Sequence, residues 1–300
     1  MDASQLFLQI LDERSKTYSD EIRNCRMEFS EAAVHDLRVT ARRLLAALQI
    51  ARSLEPQPRL QKARRALKDQ IDDLDDLRDV QVMLAEVSEN TSDLPELQPL
   101  QVYLRSKEKS LLRAAHKQVN DFNLAGFSKR MTKIQERLAA RLPKHQTQVE
   151  LLQVVDLAFG RATQLYGQID AAQPSSIHRL RLAFKKFRYM VEIIQPLLPD
   201  FPKRNLKRMH DYQAMMGEIQ DAQSFLNIVG DYSEQDASYD PQPARHYFEQ
   251  LNTDLIAAYL DDKGELLVFW RPTPEKPFPW NKRKVSTKTQ KDDSPEPSPR

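Results

Sequence analysis

The sequence predicts an all-α fold. Only six glycines occur in 300 residues, and Leu, Ala, Gln, Glu, Lys and Arg, all good helix formers, dominate. Sustained alternation of polar and apolar residues, the mark of a half-buried strand, is scarce. A chain of this length makes one or two domains and can bury a proper core.

The elements follow in order. Leu6, Ile10, Tyr18, Ile22, Cys25 and Phe29 recur at three- and four-residue intervals, so residues 4–29 are expected to form a long first helix. Residues 31–54 form the second, closed by Pro56 and Pro58. Residues 59–87 form the third, with Arg64, Arg65 and Lys68 in its early turns and Asp72, Asp73, Asp75, Asp76 and Asp79 later. A polar segment with Pro95 and Pro99 leads to helices at 100–122 and 127–142, separated by a break at 123–126. Pro143 closes this half.

A helix at 150–168 reprises the first, and Ser175 or Ser176 can cap the helix at 177–198, which stops among Pro196, Pro199 and Pro202. Lys203, Arg204, Lys207, Arg208 and His210 open the next helix, which turns acidic near Glu218 and Asp221. A polar loop at 233–243 precedes a helix at 244–263, and residues 266–270 are expected to pack on the bundle. From Arg271 onward the chain holds seven of the eighteen prolines and is predicted to be disordered. Its Lys282, Arg283, Lys284, Lys288 and Lys291 read as a solvated terminus, or as added attraction for an anionic chain.

One pattern organises the rest. His35, Arg38, Arg42, Arg43 and Leu44 are repeated 143 residues later as His178, Arg181, Lys185, Lys186 and Phe187. At about 100° per residue, the His and the cations three and seven residues on fall within roughly 60° of each other on a helix. Leu37, Ala41, Leu44 and Leu48 share the adjoining arc, as do Leu180, Phe184, Phe187 and Val191. A single copy would read as the wet face of an amphipathic helix. Recurrence in register points to internal doubling, and the natural partner of the aligned cations is a polyanion.

The two copies resemble the paired motifs of the CHAD domain, the conserved-histidine α-helical domain, over roughly residues 1–268. The resemblance implies two pseudo-twofold-related antiparallel helical bundles around a basic cavity or channel. The repeats would occupy residues 1–146 and 147–270, followed by a basic Pro-rich tail at 271–300. It also implies a stand-alone protein that binds inorganic polyphosphate. By resemblance, binding falls to His35, Arg38, Arg42 and Arg43, and to His178, Arg181, Lys185, Lys186 and Arg188. Arg65, Lys68, Lys207 and His210 are added because they share the relevant helix faces. The first repeat departs from the family's R-R-L-R by having Leu45 where the second has Arg188.

Polyphosphate offers no bases to read, so its recognition must be electrostatic. Arg forks grip two oxygens, Lys supplies point charge, and a protonated imidazole donates from both nitrogens. The histidines have two readings, as contacts that strengthen binding when pH falls toward about 6, or as buried neutral hydrogen-bonders fixing the helix pair. The Asp cluster on the third helix reads as a hard-cation site or, preferably, as carboxylates that orient the motif arginines, with Asp76 and Asp79 in that role and Glu218 and Asp221 at matching places.

The remaining composition sets limits. A net charge of +2 announces no polyanion binder by itself, and only the segregation of charge does. The single cysteine, Cys25, excludes an internal disulfide and a CxxC metal spacing. No apolar run approaches the about 20 residues of a membrane span, and acidic Asp2 stands where a signal peptide would be basic. A cytoplasmic protein at polyphosphate granules is expected, with no membrane contact.

The sequence offers two other functional readings. The dipeptides His35-Asp36 and His210-Asp211 suggest a metal-dependent phosphohydrolase, but Arg179 matches Asp36, and Walker, H-E-x-x-H and Glu-x-Glu-x-Lys motifs are absent. A nucleic-acid reader would mix Asn, Gln or Ser with Arg, or present aromatic platforms, and the motif helices offer neither in quantity. No catalytic residue, cofactor or metal is expected, and an enzyme acting on polyphosphate is a candidate partner.

Overall fold

The computed structural model describes residues 2–142 and 147–284, which contain nine α-helices and no strand. Asp2 and Ser30 cap α1 (Ala3–Met27) and α2 (Glu31–Leu54) by accepting from the amides of Gln5 and Ala33. Then come α3 (Pro58–Asn90), which opens on a proline, and α4 (Gln98–Asp121). Asn123 accepts from the Gly126 amide at 2.8 Å to start α5 (Leu124–Arg141). The chain continues as α6 (Thr147–Tyr166), α7 (Pro174–Ile194), α8 (Lys203–Gln235) and α9 (Gln242–Asp262).

Several boundaries depart from expectation, among them the start of α5 at Leu124, inside the expected break, and the end of α7 at Ile194. Helix α7 begins at Pro174, so Ser176 lies inside it, and its hydroxyl donates to the carbonyls of Gln173 and Asp170 at 2.7 and 3.1 Å instead of capping. Helices α3 and α8 each run 33 residues, past their expected ends. Val80, Met83 and Val87 of α3 and Phe225, Ile228 and Val229 of α8 carry the apolar stripes into a second, smaller core within the expected spans, and beyond it Asn90 accepts from the Tyr247 hydroxyl at 3.0 Å.

Helices α1 to α4 pack each on the next, and so do α6 to α9, while α5 lies against α1 and α3. Contacts of α2 with α6 and α7, and of α3 with α8, join the halves. The main core is continuous across that seam. Leu37, Ala41, Leu44 and Leu48 share it with Leu180, Phe184, Phe187 and Val191, all fully buried, and Cys25 is buried in it as well. The expected boundary at residue 146 lies outside the described residues.

The ordered body extends beyond Trp270, where disorder was expected. The buried Trp270 indole donates to Asp156 Oδ1 at 2.7 Å, and Arg271 pairs with Asp156 through Nε at 2.9 Å and Nη2 at 2.6 Å. Arg271 lies 4.9 Å from the Phe278 ring, Phe278 stacks on Trp280 at 4.6 Å, and Trp280 meets Phe201 edge-on at 5.1 Å. Prolines keep an α-helix from forming here, though Pro279–Lys284 make a 3₁₀ helix, and they do not prevent packing, because two aromatic rings and one guanidinium supply the burial. Lys288 and Lys291 lie outside the described residues.

Candidate anion-binding site

A hollow of about 600 Å³ opens where α2, α3 and α7 meet. Its cations are Arg42 from α2, Arg64, Arg65 and Lys68 from α3, and Lys185 and Lys186 from α7. These helices bury their Leu and Phe stripes in the core, which leaves the flanking cations at the seam between them. Three carboxylates, Asp69, Asp72 and Asp75, also line it. Asp75 is committed to Arg42 and Arg38, and Lys68 and Asp72 sit 3.6 Å apart with most of both side chains in water.

The orienting carboxylate is Asp75, not Asp76 or Asp79 as expected. Asp75 Oδ1 accepts from Arg38 Nε at 2.5 Å, and its other oxygen accepts from Arg42 Nη2. The three side chains are largely buried, at 17%, 13% and 28% exposed for Arg38, Arg42 and Asp75. Asp75 follows the buried Ile71 and Leu74 on the flank that meets α2, whereas Asp72 and Asp76 turn outward. Replacing Asp75 with Asn is expected to destabilise the fold by about 2 kcal/mol in urea denaturation, because two half-buried guanidiniums would then face each other without a counter-charge.

The second half lacks this arrangement. If Glu218 and Asp221 match Asp76 and Asp79, then Gly217 stands where Asp75 does, and a Cβ there would lie 3.7 Å from Arg181 Nε and Nη2. Arg181 Nε is buried without a hydrogen-bond partner. Asp221 is held above the usual carboxylate range, first by burial and then by Glu218, with Arg181, Arg78 and Arg38 opposing.

Of the residues expected to bind, the hollow brings together Arg42, Arg65, Lys68, Lys185 and Lys186. The others are placed elsewhere. Arg38 is held by Asp75, and Arg43 pairs with Glu192 across α2 and α7 at 3.0 Å. Arg188 donates to Gln213 at 2.9 Å and lies over the Tyr189 ring. Lys207 and His210 are exposed beside Asp211, at 2.7 and 3.7 Å. His35 is exposed. His178 lines a separate cleft of about 450 Å³ with Gln173, Gln220 and Gln223, and its Nδ1 is buried without a partner.

Loss of surrounding water, and then Arg181, hold His178 below the usual imidazole range, against a hydrogen bond with Gln220. The unfolded chain takes up that proton more readily, so His178 costs stability as pH falls below about 6.5. Sequence reasoning passed over Arg64. The signal was present, since Arg64 stands four residues before Lys68, but the helix face taken from the sequence was the one shared by Arg65, Lys68 and Asp72. Among the described residues, no group of three or more His, Cys, Asp or Glu is placed to hold a metal ion, and no helix is long and apolar enough to cross a membrane.

Residues 9–227 match the CHAD domain family. Among solved structures, the chain is similar to the crystal structure of the CHAD domain from the plant Ricinus communis, with 20% identity and a TM-score of 0.69 over 87% of this chain and 93% of that one. It is also similar to PptA from Streptomyces chartreusis, with 16% identity and a TM-score of 0.59 over 89% of this chain and 99% of that one. At these identities the likeness is one of fold. No curated protein sequence matches the chain.

Proposed function

The chain belongs to the CHAD domain family, and from that premise we propose that it binds inorganic polyphosphate in the hollow between α2, α3 and α7, at polyphosphate granules, without transforming it. The observation that carries this reading is the convergence of six cations from three helices on one hollow. Arg64, Arg65, Lys185 and Lys186 take part in no ion pair among the described residues, so their charge is available to a ligand. A linear polymer with charge at every unit suits cations spread along a groove better than a single small anion does.

Titration of the purified protein with polyphosphates of graded length tests the reading. Binding is expected to weaken with salt, with a log–log slope of about −3 for four released counterions. A preference for DNA in competition at physiological salt would overturn it. Release of orthophosphate during incubation with divalent metal would replace the binder with a phosphohydrolase.

Because neither His35 nor His178 lines the hollow, affinity is expected to change less than about twofold between pH 8 and pH 6. Isothermal titration at the two pH values measures this. A steep rise toward pH 6 would restore the histidines as contacts.

A further inference from the structure

The hollow does not end at Lys186. A second one of about 260 Å³ adjoins it, and Gln49, Arg64 and Lys186 line both. Its far walls bring in two cations that no motif contains, Arg52 from the last turn of α2 and Arg161 from α6.

The two hollows differ in their balance of charge. The first sets Asp69, Asp72 and Asp75 against its cations, while the second is lined by Arg52, Arg64, Arg161 and Lys186 and by no acidic residue. Loss of water and the neighbouring cations hold both Arg64 and Lys186 below their usual range, Arg64 through Arg52, and Lys186 through Arg64 and Arg52. Burial and neighbouring cations thus disfavour the charges of Arg64 and Lys186, and an anion placed between them relieves both. Arg52 and Arg161 are exposed, and Arg161 donates through Nη1 to Gln164 Oε1 at 2.7 Å, which leaves the rest of its guanidinium to the hollow.

We propose that the second hollow receives the continuation of a phosphate chain that already fills the first, and that Arg52 and Arg161 thereby set a preference for long chains over short ones. This rests on the polyphosphate reading. The mechanism is linkage: once one stretch of the polymer is held at Arg65, Lys68 and Lys185, the next stretch meets Arg52 and Arg161 at high effective concentration. Tripolyphosphate, too short to engage both hollows fully, draws little from the second.

The test compares the unmodified protein with the Arg52→Ala, Arg161→Ala double variant and with an Arg105→Ala, Lys109→Ala control. The control removes two exposed charges from α4, outside both hollows. Each is titrated with tripolyphosphate and with chains of about 100 phosphates; the Arg52/Arg161 variant is expected to lose at least about tenfold in affinity for the long chain and at most about twofold for tripolyphosphate, with the control unaffected. Equal losses for both ligands, an equal loss in the control, or no loss for the long chain overturns the proposal. An unmodified protein that binds neither ligand overturns the polyphosphate reading itself and this extension with it.

Discussion

Reversing two charges, Arg64→Glu with Lys186→Glu, is expected to lower affinity for long-chain polyphosphate more than about 100-fold, or about 2.8 kcal/mol, while far-UV circular dichroism stays unchanged. These residues line both hollows and have no carboxylate partner among the described residues, so the change removes ligand contacts without breaking an internal ion pair. Each hydrogen bond to a charged phosphate oxygen contributes about 1.5–3 kcal/mol, so losing two and adding two repulsions exceeds the stated drop. Glu is also a good helix former, which protects α3 and α7. Arg38 and Arg181, the pair singled out by the motif, would make a poorer test. A Glu at position 38 would face Asp75, so lost binding and lost stability would arrive together. Retention of affinity within about threefold after the Arg64 and Lys186 reversals would remove the hollow from the binding site.

Asp156→Ala is expected to destabilise the protein by about 3–5 kcal/mol, the cost of leaving a buried guanidinium without its partner. Asp156 and Arg271 are only 10% and 14% exposed, and the same carboxylate also accepts from the Trp270 indole. One substitution therefore orphans two donors beneath Phe187 and Phe278. Urea denaturation gives the size of the effect, and loss of the Trp270 fluorescence shift reports the release of the segment. If the loss is under about 1 kcal/mol, the segment after Trp270 is only loosely attached and the earlier expectation of disorder is the better description.

How much could be read in advance differs from element to element. The stripe of Leu37, Leu44, Phe184 and Phe187 was legible because burial on a helix repeats every three or four residues, and all four are fully buried. The choice of Asp75 over Asp76 was not, because adjacent residues differ by about 100° in direction and only the position of α2 decides which faces it. The extra length of α3 and α8 was hidden because Ser88, Glu89 and Asn90, and Ser233, Glu234 and Gln235, add no apolar residue that would extend either stripe. The packed segment at Arg271 was obscured by its prolines, which signal the absence of helix and say nothing about Asp156, 115 residues earlier.

Periodicity, helix-forming composition and a motif occurring twice were enough to establish an all-helical chain with its cations gathered beside the core stripes, because each depends on neighbours within two turns. Which of those cations remain free was settled by partners far along the chain. Asp75 reaches Arg38 and Arg42 from another helix, Glu192 reaches Arg43, and Gly217 leaves Arg181 without such a clamp. Coulomb attraction acts through space and falls with distance, so the charge available to a ligand is a property of the assembled bundle and not of any helix within it.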